Sequence, residues 1–235
     1  MSNLKYLVPN FFTGCSLLMG LIAMNYIAMG EYILAPWLIA LSMLFDFMDG
    51  RSARMLNATS AFGAQFDSMA DFIAFGISPA FLAYRISLRY IPYWGAIVAV
   101  AYVFAGCYRL VRFNLIPKDE ENHHSFTGLP IPAAAGMIAS YVLVSLKTWN
   151  EVLHHYTFMF VLLLLALLMA SKIEYFAVDK EGKHLTLYKI IGTIFFLSIV
   201  LTFRYSYYTF LAWMSLYLVF GIFRYIVNGI INYKK

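Results

Sequence analysis

Four aspartates, Asp46, Asp49, Asp67 and Asp71, lie in the run FDFMDGRSARMLNATSAFGAQFDSMADFIAFGISPAF among residues otherwise suited to lipid. A carboxylate at membrane depth costs on the order of 2.5–3.5 kcal/mol on insertion scales, so a cluster of four calls for compensating charge. Bound divalent cations would supply it. On a helix, Asp67 and Asp71 are i, i+4 and Gly63 continues their stripe one turn back, so one face presents two carboxylates and bare backbone. On the preceding segment Asp46 and Asp49 are i, i+3, Gly50 follows Asp46 by four, and Arg54 stands a further turn on. The short connection MLNATSAF makes the two segments antiparallel neighbours and brings the pairs face to face. Hard oxygen ligands without His or Cys suit Mg²⁺ or Mn²⁺, and four carboxylates can hold two ions. Two ions a few ångströms apart clamp the attacking and leaving oxygens of a phosphoryl displacement. Arg54 offers bidentate contacts to a pyrophosphate, and Gly50 and Gly63 let a nucleotide approach the backbone. Taken singly, the arginine could pair with an aspartate and the glycines could serve helix packing.

The elements that position these groups follow from composition. Hydrophobic residues make up 62% of the chain and charged ones 12%, against roughly 45–50% and 25% in soluble domains, which predicts an integral membrane protein. Apolar runs near 20 residues point to helices rather than the alternating segments of a barrel. The pattern predicts an all-α, polytopic membrane bundle forming a single domain over 1–235, with eight spans near 11–30, 32–52, 62–84, 91–112, 129–147, 153–172, 187–204 and 208–230. No cleavable signal peptide is expected, because only Lys5 precedes the first apolar run. With the N-terminus in the cytoplasm, all of the 17 Lys and Arg residues except Arg85, Arg89, Lys147 and Arg204 fall on the cytoplasmic side. The positive-inside rule therefore predicts a multi-pass protein of the cytoplasmic membrane with its aspartates in the cytoplasmic half. A net charge of +5 suits anionic lipid head groups, and no nucleic-acid partner is expected. Cys15 and Cys107 read as small buried hydrophobes. The segment PKDEENHHS, with His123 and His124, reads as a solvated loop.

From Asp46 to Asp71 the sequence is D-x-x-D-G-x-x-A-R, eight residues, then G-x-x-x-D-x-x-x-D, which resembles without departure the signature of the CDP-alcohol phosphotransferases. The resemblance implies a six-helix core, here with about two extra C-terminal spans, usually a homodimer, that binds a CDP-linked lipid from the cytoplasmic side and replaces CMP by an alcohol. It implies that Asp46, Asp49 and Asp67 ligate metal and that Asp71 ligates metal and serves as general base. Gly50 and Arg54 would take the CDP moiety, Ser60 would offer a hydroxyl to the nucleotide, and Asn10 and Thr13 in PNFFT match an element near the cytidine.

The flanks resemble the phosphatidylserine synthase branch of that family. They are DFIAFGISPAF after Asp71, then CYRLVRFNL, then FTGLPIPAAAG, and the recognisable motifs together cover residues 9–140. The resemblance implies L-serine as acceptor and a CDP-linked lipid, CDP-diacylglycerol or CDP-archaeol, as donor. Serine carries a carboxylate, which Arg109 and Arg112 could receive with Asn114 nearby; alternatively both arginines serve membrane topology. Phe126 to Ala135, with Pro130 and Pro132, is expected to break the chain ahead of the fifth span and to shape the same pocket. The alternatives are the same chemistry with glycerol 3-phosphate or an inositol phosphate, or a cation-coupled transporter, since intramembrane aspartates also mark ion pathways. The last hundred residues carry no motif. Their aromatics, among them Tyr205, Tyr207, Tyr208, Trp213 and Tyr217, read as an interfacial belt and helix packing.

Overall fold

A computed structural model describes residues 4–115, 125–176 and 207–233. Among these the chain forms helices α1 (Leu4–Met29), α2 (Leu34–Met55), α3 (Ala61–Ile86), α4 (Trp94–Asn114), α5 (Ile131–Trp149), α6 (His155–Ala170) and α7 (Tyr207–Tyr233). The helical membrane bundle expected from composition is what the chain builds, and the expected span 187–204 lies outside the described residues. Helices α1, α3, α4 and α5 are long and apolar enough to cross a membrane. Helix α2 has the length but carries Asp46, Asp49, Arg51 and Arg54 in its second half. A minimal antiparallel pair, β1 (Ser125–Thr127) and β2 (Glu174–Phe176), was not signalled by the sequence pattern.

The helix boundaries have local causes. Helix α1 begins ahead of the expected position because Pro9 is accommodated near its start. Asn57, at φ 47°, turns the chain after α2, a conformation Asn tolerates better than most residues. Ser60 then caps α3, its hydroxyl accepting the Gly63 N–H at 2.9 Å. The expected break ahead of the fifth span is sharp: Pro130 immediately precedes α5 and Pro132 sits in its first turn, where a missing N–H costs nothing.

Packing then fixes where the aspartates meet. Helix α1 runs along α2, and two fully buried serines clamp them: Ser42 Oγ donates to the Ser16 carbonyl at 2.9 Å and Ser16 Oγ lies 2.8 Å from Ser42 Oγ. Such pairs satisfy hydroxyls that lipid cannot. Helix α1 also crosses α3 closely at Gly20, where a Cβ would stand 2.7 Å from Ala74 Cα. Directly after Asp71, α3 widens into a π-helical stretch, Phe72–Ile77. The buried Tyr102 hydroxyl of α4 donates to the Phe75 carbonyl at 3.1 Å within that stretch. Wide turns of this kind re-aim one face of a helix relative to the next, and they recur at functional sites. The central helix is α5, whose Ile131, Ala134, Ala135, Ile138 and Val142 are all buried.

The Gly20 crossing yields a test of this packing. Gly20→Val should lower the thermal midpoint in detergent, by an overpacking cost of about 1–3 kcal/mol, whereas Gly14→Ala, whose Cβ would meet nothing within 4 Å, should leave it unchanged. Equal midpoints for the two variants would place the α1–α3 contact elsewhere.

Candidate functional site: a carboxylate cluster and the pocket beside it

The second half of α2 and the first half of α3 bring their carboxylates together across a gap, with almost no close backbone approach between them. Carboxylate oxygens of Asp46, Asp49 and Asp67 all lie within 4.8 Å of one another. Asp71, one turn beyond Asp67, faces the Asp46 carboxyl and extends the cluster toward α4. Asp49 is buried, at 6% exposure, and accepts a 2.7 Å hydrogen bond from Thr13 Oγ1 of α1. That bond orients one lone pair of Asp49 and leaves its other oxygen to the cluster.

The donor set fits a divalent cation. Oxygens on one octahedral Mg²⁺ stand about 3 Å apart when adjacent and about 4 Å when opposite, so the three carboxylates need to close by at most about 2 Å. The guanidinium of Arg109 on α4 lies near two of the four acidic groups, Asp71 and Asp46. The remaining negative charge is what a hard cation would neutralise.

Around the cluster, Arg54 is exposed and its guanidinium lies over Gly50, where a Cβ would stand 3.5 Å from Nη1. At the start of α3 a Cβ on Gly63 would stand 3.0 Å from Ser60 Oγ and 3.3 Å from Asn10 Oδ1. The bare backbone there lets two polar side chains, from α1 and from the turn before α3, converge. Of the residues expected to contact a nucleotide, Asn10, Ser60 and Gly63 meet at the start of α3, Gly50 and Arg54 meet near the end of α2, and Thr13 is buried against Asp49.

On the opposite side of Asp67 and Asp71 opens a pocket of about 240 Å³, lined among others by Ser68, Arg109, Asn114, Pro130 and Pro132. Arg109 is 8% exposed and its Nε has no hydrogen-bond partner among the described residues. Buried donors are nearly always paired, so this unpaired N–H is an exception within a side chain that also lines the pocket. Asn114 Nδ2 donates to Ser68 Oγ at 3.0 Å, and Ser68 Oγ donates to the Ala64 carbonyl at 3.0 Å. Arg112 points another way. Its Nη1 donates to the Ser171 carbonyl at 3.0 Å and the Ala170 carbonyl at 3.4 Å, past the C-terminus of α6, and its guanidinium stands 5.7 Å from the Tyr108 ring. Of the three residues expected at a serine carboxylate, the structure brings Arg109 and Asn114 to the pocket and places Arg112 outside its lining. Sequence reasoning overlooked Ser68, although Ala64, Ser68 and Asp71 recur at i, i+4 and i+7 and mark one helix face. It also missed that Thr13 holds a metal-site carboxylate.

The sequence pattern of the family described as CDP-alcohol phosphatidyltransferase matches residues 6–171, which hold both the cluster and the pocket. A CDP-diacylglycerol–serine O-phosphatidyltransferase of Helicobacter pylori is 37% identical over 237 residues, covering 99% of this chain and 98% of that protein. The enzyme of the same description from Bacillus subtilis is 36% identical over 146 residues, 62% of this chain and 78% of that protein. An archaetidylserine synthase of Methanothermobacter thermautotrophicus is 37% identical over 147 residues, 62% of this chain and 59% of that protein.

Mn²⁺ titration of the purified protein, followed by electron paramagnetic resonance, tests the cluster without reference to turnover. Thr13→Val should weaken Mn²⁺ binding by about 10- to 100-fold, the usual effect of removing a group that orients a ligand, and Asp46→Ala or Asp67→Ala should weaken it further. Wild-type affinity in either alanine variant would exclude the cluster as the metal site.

Proposed function

The chain belongs to the CDP-alcohol phosphatidyltransferase family, and we propose that it transfers the phosphatidyl group of CDP-diacylglycerol to the hydroxyl of L-serine, forming phosphatidylserine and releasing CMP. One observation carries the reading: Asp71 and Arg109 line one pocket that opens beside the carboxylate cluster. A small acceptor seated there would have its carboxylate on Arg109 and its hydroxyl near Asp71. The diacyl donor is favoured over the ether lipid because likeness to the Helicobacter enzyme runs the length of the chain, whereas likeness to the archaeal enzyme covers 62% of it.

Asp46, Asp49, Asp67 and Asp71 would hold two divalent cations, Mg²⁺ or Mn²⁺. When bound, these neutralise pyrophosphate charge and stabilise the departing CMP. Arg54 and the open backbone at Gly50 receive the pyrophosphate, and Asn10, Thr13, Ser60 and Gly63 form the rim that meets the cytidine. Asp71 takes the proton of the serine hydroxyl as its oxygen attacks the lipid-side phosphorus; the bond from that phosphorus to the CMP oxygen breaks. Arg109 fixes the serine carboxylate, with Asn114 and Ser68 on the polar wall beside it. Arg112 serves the same site by pinning the end of α4 to the end of α6.

Arg109 is the sole cation among the pocket's lining residues. A phosphorylated acceptor would bring a second phosphate beside Asp67 and Asp71 with that one guanidinium to balance it, which favours serine over glycerol 3-phosphate or an inositol phosphate. The distribution of Lys and Arg supports a cytoplasmic-membrane protein with this site facing the cytoplasm. A homodimer belongs to the same reading and is checked by cross-linking in native membranes.

Purified protein in detergent should release CMP from CDP-diacylglycerol only when divalent metal and serine are both present. Glycerol 3-phosphate, inositol phosphate and ethanolamine should be poor acceptors; efficient use of any of them would reassign the substrate. Asp71→Asn should lower kcat by about 10²- to 10⁴-fold, the usual contribution of a general base, while CDP-diacylglycerol still binds, and a near-normal kcat would remove Asp71 from that role. Arg109→Ala should raise the KM for serine by about one to two decades, the worth of a charge-assisted hydrogen bond, and Arg112→Ala should raise it less. The opposite ranking would move the carboxylate site to Arg112.

A further inference from the structure

The pocket wall holds one polar pair to which the chemistry above gives no task of its own. Ser68 stands on α3 and Asn114 is the last residue of α4, 46 positions later, and both line the pocket. Their side chains meet across the space between the two helices, with Asn114 Nδ2 donating to Ser68 Oγ at 3.0 Å. The Ser68 hydroxyl has a single proton and two carbonyl oxygens in reach, the Ala64 backbone oxygen at 3.0 Å and Asn114 Oδ1 at 3.3 Å. The shorter contact takes it. Ser68 Oγ then keeps one of its two lone pairs, and Asn114 Oδ1 keeps both. The pair therefore presents two neutral acceptors, 3.3 Å apart, on the wall of the pocket.

Paired neutral acceptors suit a cationic donor with several N–H groups, which an ammonium is. Serine carries three polar groups, and the reading above places two of them, the carboxylate at Arg109 and the hydroxyl at Asp71. The third is its ammonium. Ser68 precedes Asp71 by three residues on one face of α3, about 4.5 Å of helical rise. A ligand with its ammonium and hydroxyl on adjacent carbons spans that step. Charge balance points the same way. Asp67 and Asp71 belong to the wall, so an acceptor with a carboxylate alone would add negative charge to an acidic pocket, whereas a zwitterion adds no net charge.

We propose that Ser68 and Asn114 form the subsite for the acceptor's ammonium group, so that the pocket selects an amino acid over the same acid without its amino group. This rests on the serine-transfer reading above and deepens it. It moves Asn114 from the carboxylate of serine to its ammonium and makes Ser68 a specificity residue.

The test sets serine against 3-hydroxypropionate, which is serine without its amino group, using the full chain in detergent. CMP release is followed with each acid as acceptor, and 3-hydroxypropionate is also titrated as a competitor of serine, so that a poor acceptor still yields a binding constant. Wild type should prefer serine by about tenfold or more, the scale of a hydrogen bond to a charged group. Ser68→Ala and Asn114→Ala should each raise the KM for serine by about tenfold. Neither should change the constant for 3-hydroxypropionate or the KM for CDP-diacylglycerol. Ser68→Thr, which keeps the hydroxyl, should retain most of the serine affinity. Arg109→Ala should weaken both acids alike, because both carry the carboxylate. Asn114→Ala carries the test if the Ser68 variant does not purify as a folded protein. Equal wild-type affinity for the two acids, an unchanged serine KM in the alanine variants, or a parallel loss of both acids in them would overturn the proposal; the last would return the pair to the carboxylate or to a structural role. A wild-type protein that releases no CMP with serine would overturn the functional reading and this proposal with it. Wild-type serine activity that is indifferent to Ser68 and Asn114 would overturn this proposal alone.

Discussion

Crowding of like charge in a low-dielectric bundle is the constraint around which the other contacts are arranged. Two unit charges 4.8 Å apart repel by about 3.5 kcal/mol at an effective dielectric constant near 20. Three carboxylates at or within that spacing would cost about 10 kcal/mol if all were ionised and bare, comparable with the roughly 5–15 kcal/mol that holds a typical domain folded. The arrangement persists because packing elsewhere over-determines it. The serine clamp between α1 and α2, the Gly20 crossing onto α3 and the Tyr102 hydroxyl on the Phe75 carbonyl all fix helices within a few turns of the aspartates. Strain of this kind is useful when a ligand relieves it, since the same repulsion that opposes the bare cluster favours any cation that enters.

The acidic cluster also bears on which acceptors the proposed pocket would take. Asp67 and Asp71 form part of its wall, so an acceptor that brings negative charge meets repulsion unless that charge lands on Arg109. Serine brings one carboxylate, and the pocket wall supplies one guanidinium. The π-helical stretch after Asp71 contributes by geometry. By widening the turn it lets the face carrying Ala64, Ser68, Asp67 and Asp71 address the pocket and cluster, while Ala74 and Phe75, a few residues on, are buried in the core.

How far the sequence disclosed this depends on the range of the interactions involved. The aspartate cluster was legible because its spacing is local to two helices and its chemistry is incompatible with lipid unless compensated. Helices at seven of the eight expected spans were legible from hydropathy, four of them long and apolar enough to cross a membrane; α1 starts at Leu4, ahead of the expected 11, and the span 187–204 lies outside the described residues. The roles of Arg109 and Arg112 were not separable. They stand three residues apart on one helix with the same charge, and what distinguishes them is long-range: Arg112 meets carbonyls beyond α6, some 58 and 59 positions away, and Arg109 meets the aspartates. The Thr13 to Asp49 bond, 36 positions apart, was hidden for the same reason.

Helix α7 is the extreme case. Nothing in its sequence signals its depth, because a tyrosine among tyrosines on an apolar helix reads as packing. Only the register set by Tyr207 on Trp37 and Met214 on Met43 shows that one of those tyrosines reaches the depth of Asp46. The methionines suit such a contact, because a flexible thioether fills an irregular gap between three helices without dictating their angle. Gly136 supplies the room, and a larger residue there would first have to displace the two thioethers. The depth of Tyr217 is therefore set by a packing contact one turn away that carries no polar group from α7, an apolar fit that no motif would record.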